Sequence, residues 1–364
     1  MWKYRSLLPE IDPDETVSLG EGSTPLIESP ALAKKIGLKN LYLKLENLNP
    51  SGSYKDRFAS VLVSLMRKRN QRICIATSSG NTGAALSAYC AAAGLKCLVV
   101  VVDGAPVQKI RQMQLYGATV CTVRGFGKDP YISAAVFDLL KKFSADREMP
   151  LPISAYHFAP EGMEGVQTLG YELMDIPGFI PDHIFCPAGG GGLTLSVARG
   201  IMVWANRNGI AQMPRVHCVQ PLGNDTIASA LSSGKEHANA VTASTTSISG
   251  LQVPNVLDGN EVISNCRLTG GTGFIVTDSD VYDYHKMLAT IAGVFSEPAG
   301  AVALAAVSHA LKKGIVREDE KVVCLVTGSG FKDMSSVDKY FNLPAADSLD
   351  LHSLKTLIET NWKN

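Results

Sequence analysis

The chain reads as an α/β protein built on parallel sheets, and two repeated patterns carry that reading. An apolar strand over Arg72–Thr77 runs into the small-residue turn Ser78–Gly83, a helix over Ala84–Ala93 and a second apolar strand over Cys97–Val102. A strand, a turn, a helix and a returning strand in that order make a parallel pair. The order recurs at Pro181–Ala188, four glycines, a helix over Thr194–Ala205 and a strand over Val216–Gln220. The composition is 46% hydrophobic and 19% charged with 33 glycines in 364 residues, which suits an α/β enzyme and not a disordered or fibrous chain. That length is enough for two domains with their own cores.

The remaining elements follow in order. The first twenty residues read as an irregular arm, and Leu19–Ile27 as a glycine-rich turn with a short apolar piece. Pro30 to Gly37 has proline at the start and glycine at the end of a short helix. Leu41–Glu46 alternates apolar and polar, which predicts a half-buried strand. After it comes Asn49-Pro50-Ser51-Gly52-Ser53-Tyr54-Lys55-Asp56-Arg57, a loop feeding a helix. Helices are expected over 108–116, stopped by Gly117, and over 131–143, with a strand over 119–123 between them. A polar connection over 144–152 then closes a compact region. We read 58–153 as a small domain and 1–57 plus 154–364 as a large one. In the large domain, 165–174 and 278–288 read as helices and 272–277 as a strand. Phe295–Ala301 leads into a helix through Leu311, 234–250 is a weakly structured loop, and Lys321–Thr327 is a last strand before Gly328-Ser329-Gly330.

Lys+Arg and Asp+Glu both number 34, so charge favours neither nucleic acid nor an acidic membrane surface. The eight cysteines stand singly with no CxxC spacing, which suggests neither a metal site nor a redox motif. Buried free thiols in a reducing cytoplasm are the expectation. The first residues lack the apolar core of a signal peptide, and no run reaches the roughly 20 apolar residues that span a bilayer.

Several small-residue loops sit at strand ends, where open parallel sheets bind ligands. Lys55 lies near a helix N-terminus, whose partial positive charge disfavours an ammonium; burial would disfavour it further. Such an amine can attack a carbonyl to form a Schiff base. In isolation an ordinary surface lysine fits as well. Gly189, Gly190, Gly191 and Gly192 let backbone N–H groups approach an anion at a helix start, and a phosphate is the natural guest. Their spacing matches neither dinucleotide nor P-loop motifs. Ser78-Ser79-Gly80-Asn81-Thr82-Gly83 is a second cradle suited to a carboxylate, with Asn81 able to donate to a phenolate-like oxygen; an N-cap cluster explains it equally. Thr327 ends a strand, and its hydroxyl could meet a ring nitrogen. Glu297 is either an N-cap acid or a site residue. A reactive lysine, a phosphate loop, a carboxylate loop, an amide donor and a neutral hydroxyl are what pyridoxal 5′-phosphate and an amino acid require.

The chain resembles the threonine synthase branch of the fold-type II (tryptophan synthase β-like) pyridoxal-phosphate enzymes. The matching pieces are Trp2-Lys3-Tyr4-Arg5 with Leu8-Pro9, Leu19–Leu26, Lys44-Leu45-Glu46 with Asn49–Arg57, Ser78–Gly83, Glu297-Pro298-Ala299, and Thr327–Gly330 with Lys332-Asp333. The resemblance implies two open, twisted, mostly parallel sheets with helices on both faces and an active site between domains. It implies Lys55 as the Schiff-base lysine, Asn81 on the cofactor's 3-oxygen, Gly189–Gly192 with Leu193 on its phosphate and Thr327 at its pyridine nitrogen. Ser78, Ser79, Gly80 and Thr82 would face the substrate carboxylate. A homodimer is the family expectation, and no residue is assigned to a metal.

Two departures bear on substrate. The tetraglycine is typical of serine/threonine dehydratases and serine racemases, whereas threonine synthases usually carry an Asn-containing loop. The segment that binds the phosphate of O-phosphohomoserine in threonine synthases corresponds to Ala159–Thr168, with Gly162 at the arginine position and Gln167 at the lysine position. Each lost cation removes a charge-assisted bond worth about 1.5–3 kcal/mol. A neutral Thr327 also makes the ring a weaker electron sink and favours prompt loss of a β-leaving group. The leading expectation is therefore Cα deprotonation and β-elimination or replacement on a serine- or threonine-type amino acid. Authentic threonine synthase, a biosynthetic β-replacement synthase and a non-catalytic paralogue are the alternatives.

Overall fold

In the computed structural model, which describes residues 1–105 and 107–361, the strands gather into two sheets. The order is β1 (Leu26–Glu28), α1 (Pro30–Ile36), β2 (Asn40–Leu45), α2 (Lys55–Lys68), β3 (Ile73–Thr77), α3 (Asn81–Ala93), β4 (Lys96–Val101), α4 (Val107–Leu115), β5 (Thr119–Thr122) and α5 (Pro130–Ala145). It continues with α6 (Pro160–Met174), β6 (His183–Pro187), α7 (Gly192–Arg207), β7 (Arg215–Pro221), α8 (Ala228–Ser232), α9 (Gly259–Leu268), β8 (Gly273–Val276), α10 (Asp278–Ala292), α11 (Val302–Lys312) and β9 (Lys321–Val326). Residues 334–361 belong to a second unit that carries α12 (Met334–Tyr340) and α13 (Leu351–Asn361).

The larger sheet has the order β1-β2-β9-β6-β7-β8, parallel throughout except for β1 at its edge. The smaller sheet, β3-β4-β5, is wholly parallel. β6 is buried at every position, as expected of a parallel strand covered on both faces. Helix ends obey local chemistry. Gly37 and Gly94 close α1 and α3 in the left-handed conformation, and Thr277 and Asp280 form a capping box at α10.

Four expectations are corrected. The N-terminal arm is not irregular but carries two 3-10 turns, Trp2–Leu7 and Pro13–Glu15. α8, α9, α12 and α13 are helices where the sequence reading placed none. The helix after the tetraglycine starts inside it, at Gly192. β2 is not half-buried, because its polar side is covered too: Lys44 is 3% exposed and Glu46, just beyond the strand, 0%.

The reason is a buried charge cluster. Arg57, fully buried on the first turn of α2, meets Glu46 at 2.7 Å and Glu172 of α6 at 2.7 Å, and Lys44 meets Glu172 at 2.8 Å. Two cations and two anions leave no net charge, the condition for burying them. Burial pushes both carboxyls up, but Arg57 and Lys44 outweigh it and hold them below their usual range. α6 lies so close to α2 that a Cβ on Gly165 would sit 2.2 Å from the carbonyl oxygen of Arg57, which only glycine permits. The first turn of α2 is thus clamped from β2 and α6.

Candidate active site

The clamp fixes the turn before α2. Ser51 donates its N–H to Asp56 Oδ2 at 2.6 Å and its hydroxyl to Oδ1. Ser329 donates to the Gly52 carbonyl at 2.9 Å and Tyr54 to the Thr327 carbonyl at 3.2 Å. The turn is thereby tied to the end of β9. Lys55, the first residue of α2, projects into a cavity of about 550 Å³ that Thr327 also lines. Residues 78–82, 189–193, Ser154, Glu297 and Ala299 line the same cavity. The residues expected at the cofactor and the substrate carboxylate therefore line one cavity, although they span positions 55 to 327.

Burial pulls the Lys55 amine down to about 7, against the opposing charges of Asp258 and Glu297. Lys55 Nζ donates to Ser154 Oγ at 2.6 Å, which in turn lies 2.9 Å from Thr82 Oγ1. The amine also sits 4.5 Å from the centre of the Tyr54 ring. Ser154 was not foreseen: it sits in a short connection with no periodicity and reaches Lys55 only through tertiary folding.

The glycine loop joins β6 to α7. Gly191 has φ +97°, a left-handed conformation, and a Cβ there would lie 2.7 Å from Val262. Gln220 donates to the Gly189 carbonyl at 2.9 Å, and the Asp258 N–H to the Gly190 carbonyl at 3.3 Å. With the carbonyls so engaged, the first-turn N–H groups of α7, which have no intrahelical acceptor, are left for an anion. Asp258 also accepts from the N–H groups of Tyr156 at 2.9 Å and His157 at 3.0 Å, so it holds the loop bearing Ser154 against the glycines. Burial raises the Asp258 carboxyl, partly countered by those two bonds. It is a second residue with no local signal.

In the second cradle, Ser78 Oγ accepts from the N–H of Gly83 at 3.0 Å and of Gly80 at 3.3 Å, and Ser79 Oγ accepts from Val102 N–H at 3.0 Å. Both oxygens serve the fold, while their O–H protons remain to be donated. Asn81 opens α3 and gives one amide proton to Glu297 Oε1 at 2.5 Å, leaving the other available. Glu297 is 3% exposed and pairs with Lys109 at 3.2 Å. The expected phosphate-reading positions lie elsewhere. Gly162 is packed where a Cβ would meet the Phe58 ring at 2.8 Å, and Gln167 donates to the Tyr156 hydroxyl at 2.9 Å; neither lines the cavity.

An amine of depressed basicity, a helix-start glycine cradle and a second small-residue cradle around one cavity fit a phosphorylated carbonyl cofactor and an amino acid. The fit rests on the donors present: Gly191 leaves no room for a side chain, and Lys55 and Thr327 face the space between the loops. Residues 17–328 match the family described as pyridoxal-phosphate dependent enzyme, and the chain belongs to that family. It is 30% identical to a threonine synthase of Methanocaldococcus jannaschii over 99% of this chain and 87% of that one. It is 31% identical to a threonine synthase of Methanosarcina acetivorans over 98% of this chain and 86% of that one. Among solved structures, the serine racemase of Dictyostelium discoideum superposes with a TM-score of 0.67 at 26% identity, covering 85% of this chain and 92% of that one. A threonine deaminase from Solanum lycopersicum shares the fold, with a TM-score of 0.70 at 21% identity over 88% of this chain and 84% of that one. The fold is therefore that of the fold-type II enzymes, and pyridoxal phosphate is the cofactor of the family.

Proposed function

We propose that the protein is a pyridoxal-phosphate-dependent lyase that removes, or replaces, an uncharged β-substituent on an amino acid of the serine or threonine type. The observation that carries this reading is the charge of the cavity wall. Among the described lining residues, the charged side chains are Lys55 and Glu297 alone. Glu297 is an anion paired with Lys109, and Lys55 is the reactive amine. No cation on that wall is left over for a substrate phosphate. Losing the charge-assisted bonds a dianion needs costs about 1.5–3 kcal/mol each.

When bound, the cofactor supplies an aldehyde and an electron-withdrawing ring that weakens the bonds at the substrate Cα. The chain supplies the rest. Residues 189–193 hold the phosphate with backbone N–H groups and the start of α7. Thr327 offers a neutral hydroxyl to the ring nitrogen, and Asn81 its remaining amide proton to the ring oxygen. Ser78, Ser79, Gly80 and Thr82 orient the carboxylate from the start of α3. Lys55 Nζ, whose basicity burial lowers, accepts the Cα proton, while Ser154 Oγ fixes the direction of its lone pair. Residues 58–153 act as a small substrate-side domain against 1–57 with 154–364, and the enzyme works as a cytoplasmic homodimer; sedimentation checks the dimer.

A second reading, threonine synthase acting on O-phosphohomoserine, is favoured by the names of the two relatives above. A panel of serine, threonine, O-acetylserine, O-phosphoserine and O-phosphohomoserine separates the two. Ketoacid release from the uncharged substrates supports the lyase. Brisk threonine formation from O-phosphohomoserine overturns it.

A further inference from the structure

Far from the cavity, the small sheet gathers three cysteines that no spacing rule connects. Cys74 on β3 and Cys97 on β4 are register partners, so both side chains leave the same face of adjacent parallel strands. α3 packs on that face and brings Cys90. The three sulfurs all lie within 4.8 Å of one another. Cys74 and Cys90 are 0% exposed and Cys97 is 9% exposed. Cys74 lies four residues before Ser78, about 13 Å along the strand from the substrate cradle. The cluster is therefore at the amino edge of the sheet, opposite the proposed active site.

Charge decides what such a cluster can hold. Among the described residues the group contains no histidine or carboxylate, and no cation acts on any of the three thiols. Zinc with three thiolates would bury a net negative charge and would need a fourth ligand. Ser87 Oγ lies 4.0 Å from Cys97 Sγ and already donates to the Gly83 carbonyl at 2.7 Å. A monovalent soft metal would leave two negative charges. A trivalent centre leaves none. We infer that Cys74, Cys90 and Cys97 form a three-thiol site for a trivalent metalloid of the arsenite or antimonite class.

The chemistry balances without an oxidant or reductant. Arsenous acid carries three hydroxyl groups. Each cysteine S–H gives its proton to one of them, water leaves, and a sulfur–arsenic bond replaces an oxygen–arsenic bond. Three waters depart and the product is neutral. Entry is through Cys97, the one thiol with solvent access.

The test uses the full-length, cofactor-loaded protein, reduced with a phosphine so that no competing thiol is present. After incubation with arsenite and gel filtration, native mass spectrometry is expected to show one arsenic per chain with three protons lost. Phenylarsine oxide, which offers only two exchangeable positions and carries a ring too large for the core, is expected not to be retained. Cys90→Ser should lose arsenite and Cys121→Ser, at the exposed cysteine, should keep it. The inference is overturned if wild type retains no arsenic, if phenylarsine oxide is retained equally, if Cys90→Ser binds as well as wild type, or if zinc displaces arsenite stoichiometrically. The phenylarsine comparison needs no substitution, so a variant that fails to fold does not blunt the test.

Discussion

Two neighbouring residues, Lys55 and Arg57, leave the same turn of α2 and meet opposite environments. Arg57 points into a closed compartment where Glu46 and Glu172 match its charge and Lys44 balances the sum. Lys55 points into a cavity where its hydrogen-bond partner is a neutral serine and burial lowers its basicity. The cation with partners is held charged and builds the structure. The one without a bonded anion is left reactive. Asp56, between them, ties the turn to Ser51, and burial lifts its carboxyl to about 7.

The sharpest way to break this comparison is to exchange the two losses. Lys55→Ala should lower turnover on the order of 10³-fold, as expected for removal of a general base, with no loss of unfolding free energy, since the buried amine costs stability near neutral pH. Arg57→Met should do the reverse. Stripping the partner from two buried carboxylates costs about 3–5 kcal/mol of stability, read by denaturant unfolding. If Lys55→Ala unfolds the protein as readily as Arg57→Met, the division of labour is wrong.

A smaller effect tests the amine itself. In cofactor-free protein a Lys55 value of about 7 means the neutral fraction rises roughly tenfold from pH 6 to pH 8 and then levels off. Acylation of Lys55, followed by peptide mass spectrometry, should trace that curve; an ordinary lysine would keep climbing beyond pH 9. The same shift carries a stability sign. The folded value lies below the unfolded 10.5, so the unfolded state binds more protons between pH 7 and 10.5 and stability rises with pH in that window. Lys55→Met should flatten the rise. The smallest effect is expected at the exposed Arg69–Glu161 pair, 2.7 Å apart: Arg69→Ala should cost under about 1 kcal/mol, unlike the equally short pairs of Arg57.

Much of this was legible locally. The units Ile73–Val101 and His183–Pro221 follow from apolar runs, small-residue turns and helix caps, all of which act within a few residues. Lys55, residues 78–82, the glycine loop and Thr327 were recognisable because a strand end followed by small residues is a local pattern with one spatial consequence in a parallel sheet. Ser154 and Asp258 were not, since each matters only through a partner about a hundred residues away. Lys44 and Glu46 misled, because alternation predicts an exposed face and cannot foresee that Arg57 and Glu172 will cover it.

The sequence by itself determined the α/β class, the order of most elements and the small-residue loops that gather around one cavity. Those are consequences of short-range periodicity and backbone chemistry. Tertiary structure alone decided three things: which polar strand residues are buried in pairs, how Ser154 and Asp258 complete the cavity, and that Cys74, Cys90 and Cys97 meet. Each depends on the balance of charge and desolvation between chain segments, and that balance exists only once the segments are packed together.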